Sequence, residues 1–190
     1  ARVLWRQFHP TVRADKLEFR EQPKALSKAD ALAYDILIDN LRRSREHLPE
    51  RRWLWETLAA ALFERGDRAG LVSHLENWAT AQSPGVARAE ILLHLGRANE
   101  YVLADYPRAG EIYELAVAED PRNADGLRAL GKVYEHMGRW SDAVATLQRQ
   151  AAETSDSSER LTVLRQLASM AEHQLGDIDL AIATLQEVAV

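Results

Sequence analysis

The sequence predicts an all-α protein built from stacked antiparallel helix pairs. Three observations carry that reading: the chain repeats itself at a fixed offset, each repeat divides into two amphipathic hairpins, and small residues stand where the hairpins must turn. Gly66 and Gly138 lie 72 residues apart. The same offset relates Pro49 to Pro121, Leu75 to Leu147, Leu92 to Leu164 and Leu95 to Leu167, then Glu100 to Glu172, Leu103 to Leu175, Asp105 to Asp177 and Ala109 to Ala181. Tyr34, Tyr106 and Ile178 form a series of three, as do Leu41, Tyr113 and Leu185. One register held through so many apolar and turn positions marks a repeat architecture.

Each unit splits unequally: Gly66 to Ala104 is 38 residues, Ala104 to Gly138 is 34, and Gly138 to Gly176 is 38. Residues 1–27 do not follow the pattern. Pro23 falls where a first helix would run, so this stretch reads as a linker or a degenerate repeat with one short apolar helix at 3–8. The repeat region is expected over 28–190. Residues 28–46 form the second helix of a first, degenerate repeat, opened by the N-cap signal Ser27-x2-Asp30. Hairpins follow at 51–82, 85–119, 123–153 and 157–190. Within 123–153, Leu127, Leu130 and Tyr134 fall at i, i+3 and i+7 and build one apolar stripe. The chain breaks at Gly138, and a second stripe follows with Ala143, Val144 and Leu147. The polar run at 153–158 supplies a hydroxyl or carboxylate to cap the next helix.

Composition narrows the functions. The 190 residues are 46% hydrophobic and 28% charged, enough apolar content for a sizeable core. Cysteine is absent, which excludes disulfides, thiolate metal sites and a cysteine nucleophile, and does not fix a compartment. The longest purely apolar run, 58–63, is far shorter than the ~20 residues that span a bilayer, so membrane insertion is not expected. The first residues are charged and broken by Pro10 and Pro23, unlike a signal peptide. The chain opens on Ala1 rather than Met, and the reading expects a fragment or a processed chain. A formal charge of −5 argues against nucleic acid as the partner.

Local motifs that suggest chemistry have plainer explanations. Gly126 to Val133 comes one residue short of a phosphate loop, lacks the Ser or Thr that would hold Mg²⁺, and lies inside a helix with Gly131 at a packed position. The histidines show no metal-ligand spacing, and Glu135-His136 and Glu172-His173 sit by helix C-termini, where a partly cationic ring is favoured. No cofactor or metal is expected. Arg42, Arg43, Arg45, Arg51 and Arg52 form a charge run interrupted by Glu46 and Glu50, and read as a solvated helix end. Among the tryptophans, Trp55 takes a core position, Trp78 and Trp140 pack between hairpins, and Trp5 and Trp53 are candidates for exposed contact.

Leu127-x2-Leu130-Gly131-x2-Tyr134 followed by Ala143-x3-Leu147 resembles the tetratricopeptide repeat, as do Trp55-x2-Leu58-Ala59-x2-Leu62 and Leu92-x2-Leu95-Gly96. Its second-helix signature is seen in Ala109-x3-Tyr113-x2-Ala116 before Asp120-Pro121, and in Ala181-x3-Leu185. The alternating 38- and 34-residue hairpins are similar to the long-and-short pairs of bacterial members. The resemblance implies an all-α, right-handed α-solenoid whose core includes Leu58, Leu62, Leu75, Leu92, Leu95, Tyr113, Leu130, Tyr134, Leu147, Leu164 and Leu167. It also implies a non-catalytic scaffold that takes a protein or peptide in a concave groove lined by first helices. By register, the groove residues are Glu56, Phe63, Arg97, Tyr101, Arg128, Lys132, Glu135, Arg165 and Glu172. Arg97, Arg128, Lys132 and Arg165 suggest a basic column suited to an acidic peptide, unless Glu135 and Glu172 neutralise it. The alternative is a regulatory helical arm of an enzyme whose catalytic domain lies outside this chain. An RNA-reading array fits less well, because the positions that would read bases are mixed apolar and charged. The sequence stops at Ala189-Val190 inside a second helix, so the array is expected to continue or to self-associate through an uncapped end. Thr184, Gln186 and Glu187 facing solvent, with Leu185 and Val188 inward, would mark a closed end instead.

Overall fold

The computed structural model describes residues 25–188. The reading of residues 1–24, with the helix at 3–8 and Trp5, lies outside the described residues, as do Ala189 and Val190. Among the described residues there are nine α-helices and no strand: α1 (Lys28–His47), α2 (Arg52–Arg65), α3 (Arg68–Thr80), α4 (Val86–Arg97), α5 (Tyr106–Glu119), α6 (Ala124–His136), α7 (Trp140–Glu153), α8 (Ser157–Met170) and α9 (Ile178–Val188). Two of them run on into π-helical turns, α4 through Ala98–Leu103 and α8 through Ala171–Leu175. The fold is the expected all-α class.

The described residues form two compact units, one of 25–83 with 94–104, the other of 84–93 with 105–188. In the first, Ser27 caps α1: its Oγ accepts from the Asp30 N–H at 3.2 Å, as the sequence signal anticipated. Tyr34, Leu37, Ile38 and Leu41, at i, i+3, i+4 and i+7, turn one stripe of α1 onto α2. Helix α2 is buried from Leu54 to Leu62, bar part of Glu56. It ends at Gly66, whose φ of 78° only glycine adopts cheaply. There the Asp67 N–H reaches back to the Leu62 carbonyl at 3.0 Å and the Gly66 N–H to that of Phe63 at 2.9 Å. Asp67 then caps α3 by accepting from the Gly70 N–H at 2.9 Å.

The second unit repeats the scheme. Asp105, Asn123 and Asp156 cap α5, α6 and α8 with side-chain oxygens, so a carboxylate from the polar run at 153–158 takes the capping role. Helices α5 to α9 pack in succession, α6 on α5, α7 on α6, α8 on α7 and α9 on α8. All eleven residues expected in the core are buried. Four details differ from the sequence reading. Gly131 is buried, yet a Cβ there would sit an ordinary 3.7 Å from Thr146; the close approach is at Gly126, where a Cβ would meet Val117 at 3.2 Å and Leu93 at 3.3 Å. Trp78 is 2% exposed, whereas Trp140 is only half-buried. The run at 42–52 is not wholly a solvated end, because Arg45 turns onto the Trp55 ring. On α9, Thr184 is buried and Leu185 is 50% exposed, the reverse of the closed end.

Candidate functional site

In the first unit, α2 carries Glu56 and Phe63, and the α4 end with its π turn carries Arg97 and Tyr101. Glu56 is mostly covered and accepts from Arg52 Nε at 2.7 Å, one helical turn away. Phe63 lines a cavity of 420 Å³ with Leu26, Ala31, Leu71 and Val102, rimmed by Arg65 and Arg68. Arg65 is held by Asp35 through a two-pronged contact of 2.7 and 3.3 Å, and this hydrogen bond keeps the Asp35 carboxyl below its ordinary range. Tyr101 is 40% exposed.

A buried polar cluster that sequence reasoning missed lies beside these groups. His74 on α3 hydrogen-bonds through Nε2 to the Trp55 carbonyl at 2.8 Å and through Nδ1 to Arg45 at 3.0 Å. Arginine has only donors, so Nδ1 accepts and the Nε2–H donates, a neutral imidazole. Burial, with Arg45 and Arg42 nearby, pushes the His74 pKa down to about 4. Its ring stacks on Trp55 at 5.2 Å, and Trp55 stacks on Trp78 at 6.0 Å. The cluster ties α1, α2 and α3 together. Nothing in the spacing of Arg45, Trp55 and His74 announces it, since the contacts span 19 to 29 residues.

In the second unit, α6 presents Arg128, Lys132 and Glu135, and α8 with its π turn presents Arg165 and Glu172. Arg128 bonds Asp125 at 2.7 Å and Glu159 of α8 at 2.6 Å. Gln166 of α8 donates to Glu135 at 2.7 Å. These two bridges join one face of α6 to one face of α8 through Glu159 and Gln166. The partners of Arg128 are therefore Asp125 and Glu159, not Glu135 or Glu172 as the sequence suggested. Glu172 lies 3.8 Å from His173. Lys132 and Arg165 are exposed. A further cluster joins α5, α6 and α7. Tyr134 donates to Glu114, and Arg139 covers the Tyr134 ring at 4.5 Å while bonding Asp142 at 2.7 Å. Burial first, then this hydrogen bond, raises the Tyr134 pKa.

Among the described residues no group of three or more His, Asp or Glu is placed to hold a metal, and no helix is long and apolar enough to cross a membrane. Residues 104–167 match the family model of the tetratricopeptide repeat. That segment is of tetratricopeptide-repeat type. Solved structures of tetratricopeptide type share its fold. One crystal structure of MamA aligns with a TM-score of 0.58 at 18% identity, covering 85% of this chain and 84% of that one. A second aligns at 0.59 and 17%, covering 87% and 95%. A kinesin light chain protein of Podosopora anserina with nearly identical TPR-like repeats aligns at 0.51 and 22%, covering 70% and 71%. No curated protein matches the sequence. Tetratricopeptide repeats in general serve as scaffolds for protein interaction.

Proposed function

We propose that this chain binds a protein partner, and that in the second unit the joined faces of α6 and α8 receive an acidic peptide segment. The observation that carries this reading is the exposed Lys132 one turn from Arg128 on a face that two interhelical hydrogen bonds hold in place. Arg128 is engaged with two carboxylates at an exposed position. Exposed pairs of this kind contribute little, about 0–1 kcal/mol, so an incoming carboxylate exchanges with Asp125 or Glu159 at small cost. Lys132 supplies the unshared positive charge, and Arg165 extends the basic character along α8. In the first unit, Phe63 at its cavity with Glu56, Arg97 and Tyr101 nearby in sequence register forms the corresponding apolar contact region.

A fluorescent glutamate-rich peptide titrated into the chain at low and at physiological salt tests the proposal. The charge reversal Arg128→Glu with Lys132→Glu is expected to weaken binding about tenfold or more and to abolish its salt dependence. Unchanged affinity and salt dependence in the double variant would overturn the assignment.

A further inference from the structure

We propose that the cleft between α5 and α7 in the second unit is a further binding site, and that it takes an extended segment of a partner protein carrying a basic residue and, about three residues on, an acidic one. The cleft has a volume of 330 Å³. Its buried lining is Val117 of α5, Leu130 and Tyr134 of α6, and Thr146 of α7. Thr146 brings no unmet polar group, because its Oγ1 donates to the Asp142 carbonyl at 2.8 Å. Ala118 and Ala145 are exposed at the two edges, and their small side chains leave the space open. The ends of the cleft carry opposite charge. At one end Tyr134 donates to Glu114, while Arg139 bonds Asp142 at 2.7 Å and lies 4.0 Å from Glu114. Two carboxylates thus share one guanidinium, which leaves a net negative charge. Both are about half exposed, and each has acceptor sites to spare. At the other end stands Arg149, exposed, with no hydrogen bond or ion pair among the described residues.

Charge complementarity defines the occupant. Asp142 and Arg149 stand two turns apart on α7, about 10 Å along the helix axis. An extended chain advances about 3.3 Å per residue, so about three residues span the two ends. An ammonium or guanidinium group answers Glu114 and Asp142, and a carboxylate answers the unshared fork of Arg149. Between them the apolar lining takes small aliphatic side chains, since the volume lies near the lower end of the range for ligand sites, about 300–1,000 Å³. A wholly acidic segment is repelled by Glu114 and Asp142, and a wholly basic one by Arg149. At about 100° per residue, Leu130 and Tyr134 lie on the side of α6 opposite Arg128 and Lys132. The cleft is therefore separate from the α6–α8 face, its ligand has a different charge pattern, and the two proposals fail independently.

The test titrates the intact, nitrogen-15-labelled chain with the end-blocked peptide Gly-Lys-Ala-Val-Glu-Gly and follows amide chemical shifts. The expected result is saturable movement of the Ala118, Ala145 and Arg149 resonances. Arg149→Glu should weaken binding about tenfold or more and turn the preference to Gly-Lys-Ala-Val-Lys-Gly. Ala145→Leu, which fills the cleft, should weaken the first peptide by a similar factor, while Arg128→Glu with Lys132→Glu leaves its affinity unchanged. Ala145 and Arg149 are both exposed, so the circular dichroism of each variant should match that of the parent. Absence of saturable shifts at Ala118, Ala145 and Arg149, affinity insensitive to Arg149→Glu, or equal affinity for Gly-Glu-Ala-Val-Glu-Gly would overturn the proposal. Shifts confined to Lys132 and Arg165 would overturn it by assigning the peptide to the α6–α8 face. A dimer of the chain that Ala145→Leu dissociates would overturn it too, by giving the cleft to a second copy.

Discussion

At the residue scale, His74 is the group whose chemistry depends most on its surroundings. It is neutral in the folded chain chiefly because burial disfavours the charged ring, and because a proton on Nδ1 would break the Arg45 contact and place a second cation beside it. Its folded pKa of about 4 lies below the unfolded value near 6.5. Between those values the unfolded chain binds the proton and the folded chain does not, so stability rises with pH there. The contribution is complete above about pH 6.5 and is lost as pH falls towards 4. The linkage amounts to about 2 kcal/mol of lost stability at pH 5 relative to pH 7. Urea unfolding of the parent and of His74→Gln at several pH values checks this: the variant's stability should fall less steeply over that window. An equal slope in both would place the acid sensitivity elsewhere.

Elements are set by turns. Helices α4 and α8 end in π-helical segments, closed at Ala104 with φ of 56° and at Gly176 with φ of 68°. The two positions are 72 residues apart, so one repeat position holds alanine in one copy and glycine in the other. A left-handed backbone costs an L-residue roughly 1–2 kcal/mol, while glycine brings about 0.5–1 kcal/mol of extra unfolded-state entropy. Ala104→Gly should therefore stabilise the chain by about 0.5–1 kcal/mol, and Gly176→Ala should destabilise it by a similar amount. Thermal and urea denaturation of the two single variants measure both, and a shared sign would refute the account. Periodicity made the turn at Ala104 legible. The π-helical winding before it was not, because helical periodicity reads the same from α- and π-turns over five or six residues.

For the whole molecule, local stability should follow how many neighbours cover each helix. Within the second unit, α7 packs against both α6 and α8, and its Ala143, Val144, Thr146, Leu147, Gln150 and Ala151 are all buried. On α9 only Ala181 and Thr184 are buried. Native-state hydrogen exchange should then grade along the unit, with the amide of Leu147 opening only through extensive unfolding and that of Leu185 exchanging through local fraying. Equal protection at the two would show that α9 is held by more than its contact with α8.

The sequence by itself determined the all-α class, the repeat register, the turn positions at Gly66, Ala104, Gly138 and Gly176, and the apolar core. These follow from local periodicity and backbone preference, which are written along the chain. Candidate surface positions such as Lys132 and Arg165 were legible as exposed charges on first helices. Only the tertiary structure decided which partners those charges meet: that Arg128 bonds Asp125 and Glu159, that Arg45 turns inward to His74 and Trp55, and that Leu185 faces out while Thr184 faces in. The reason is physical. Burial and pairing depend on which helix lies across from a residue, and a repeat register fixes the spacing of helices along the chain without stating which of their faces will be covered.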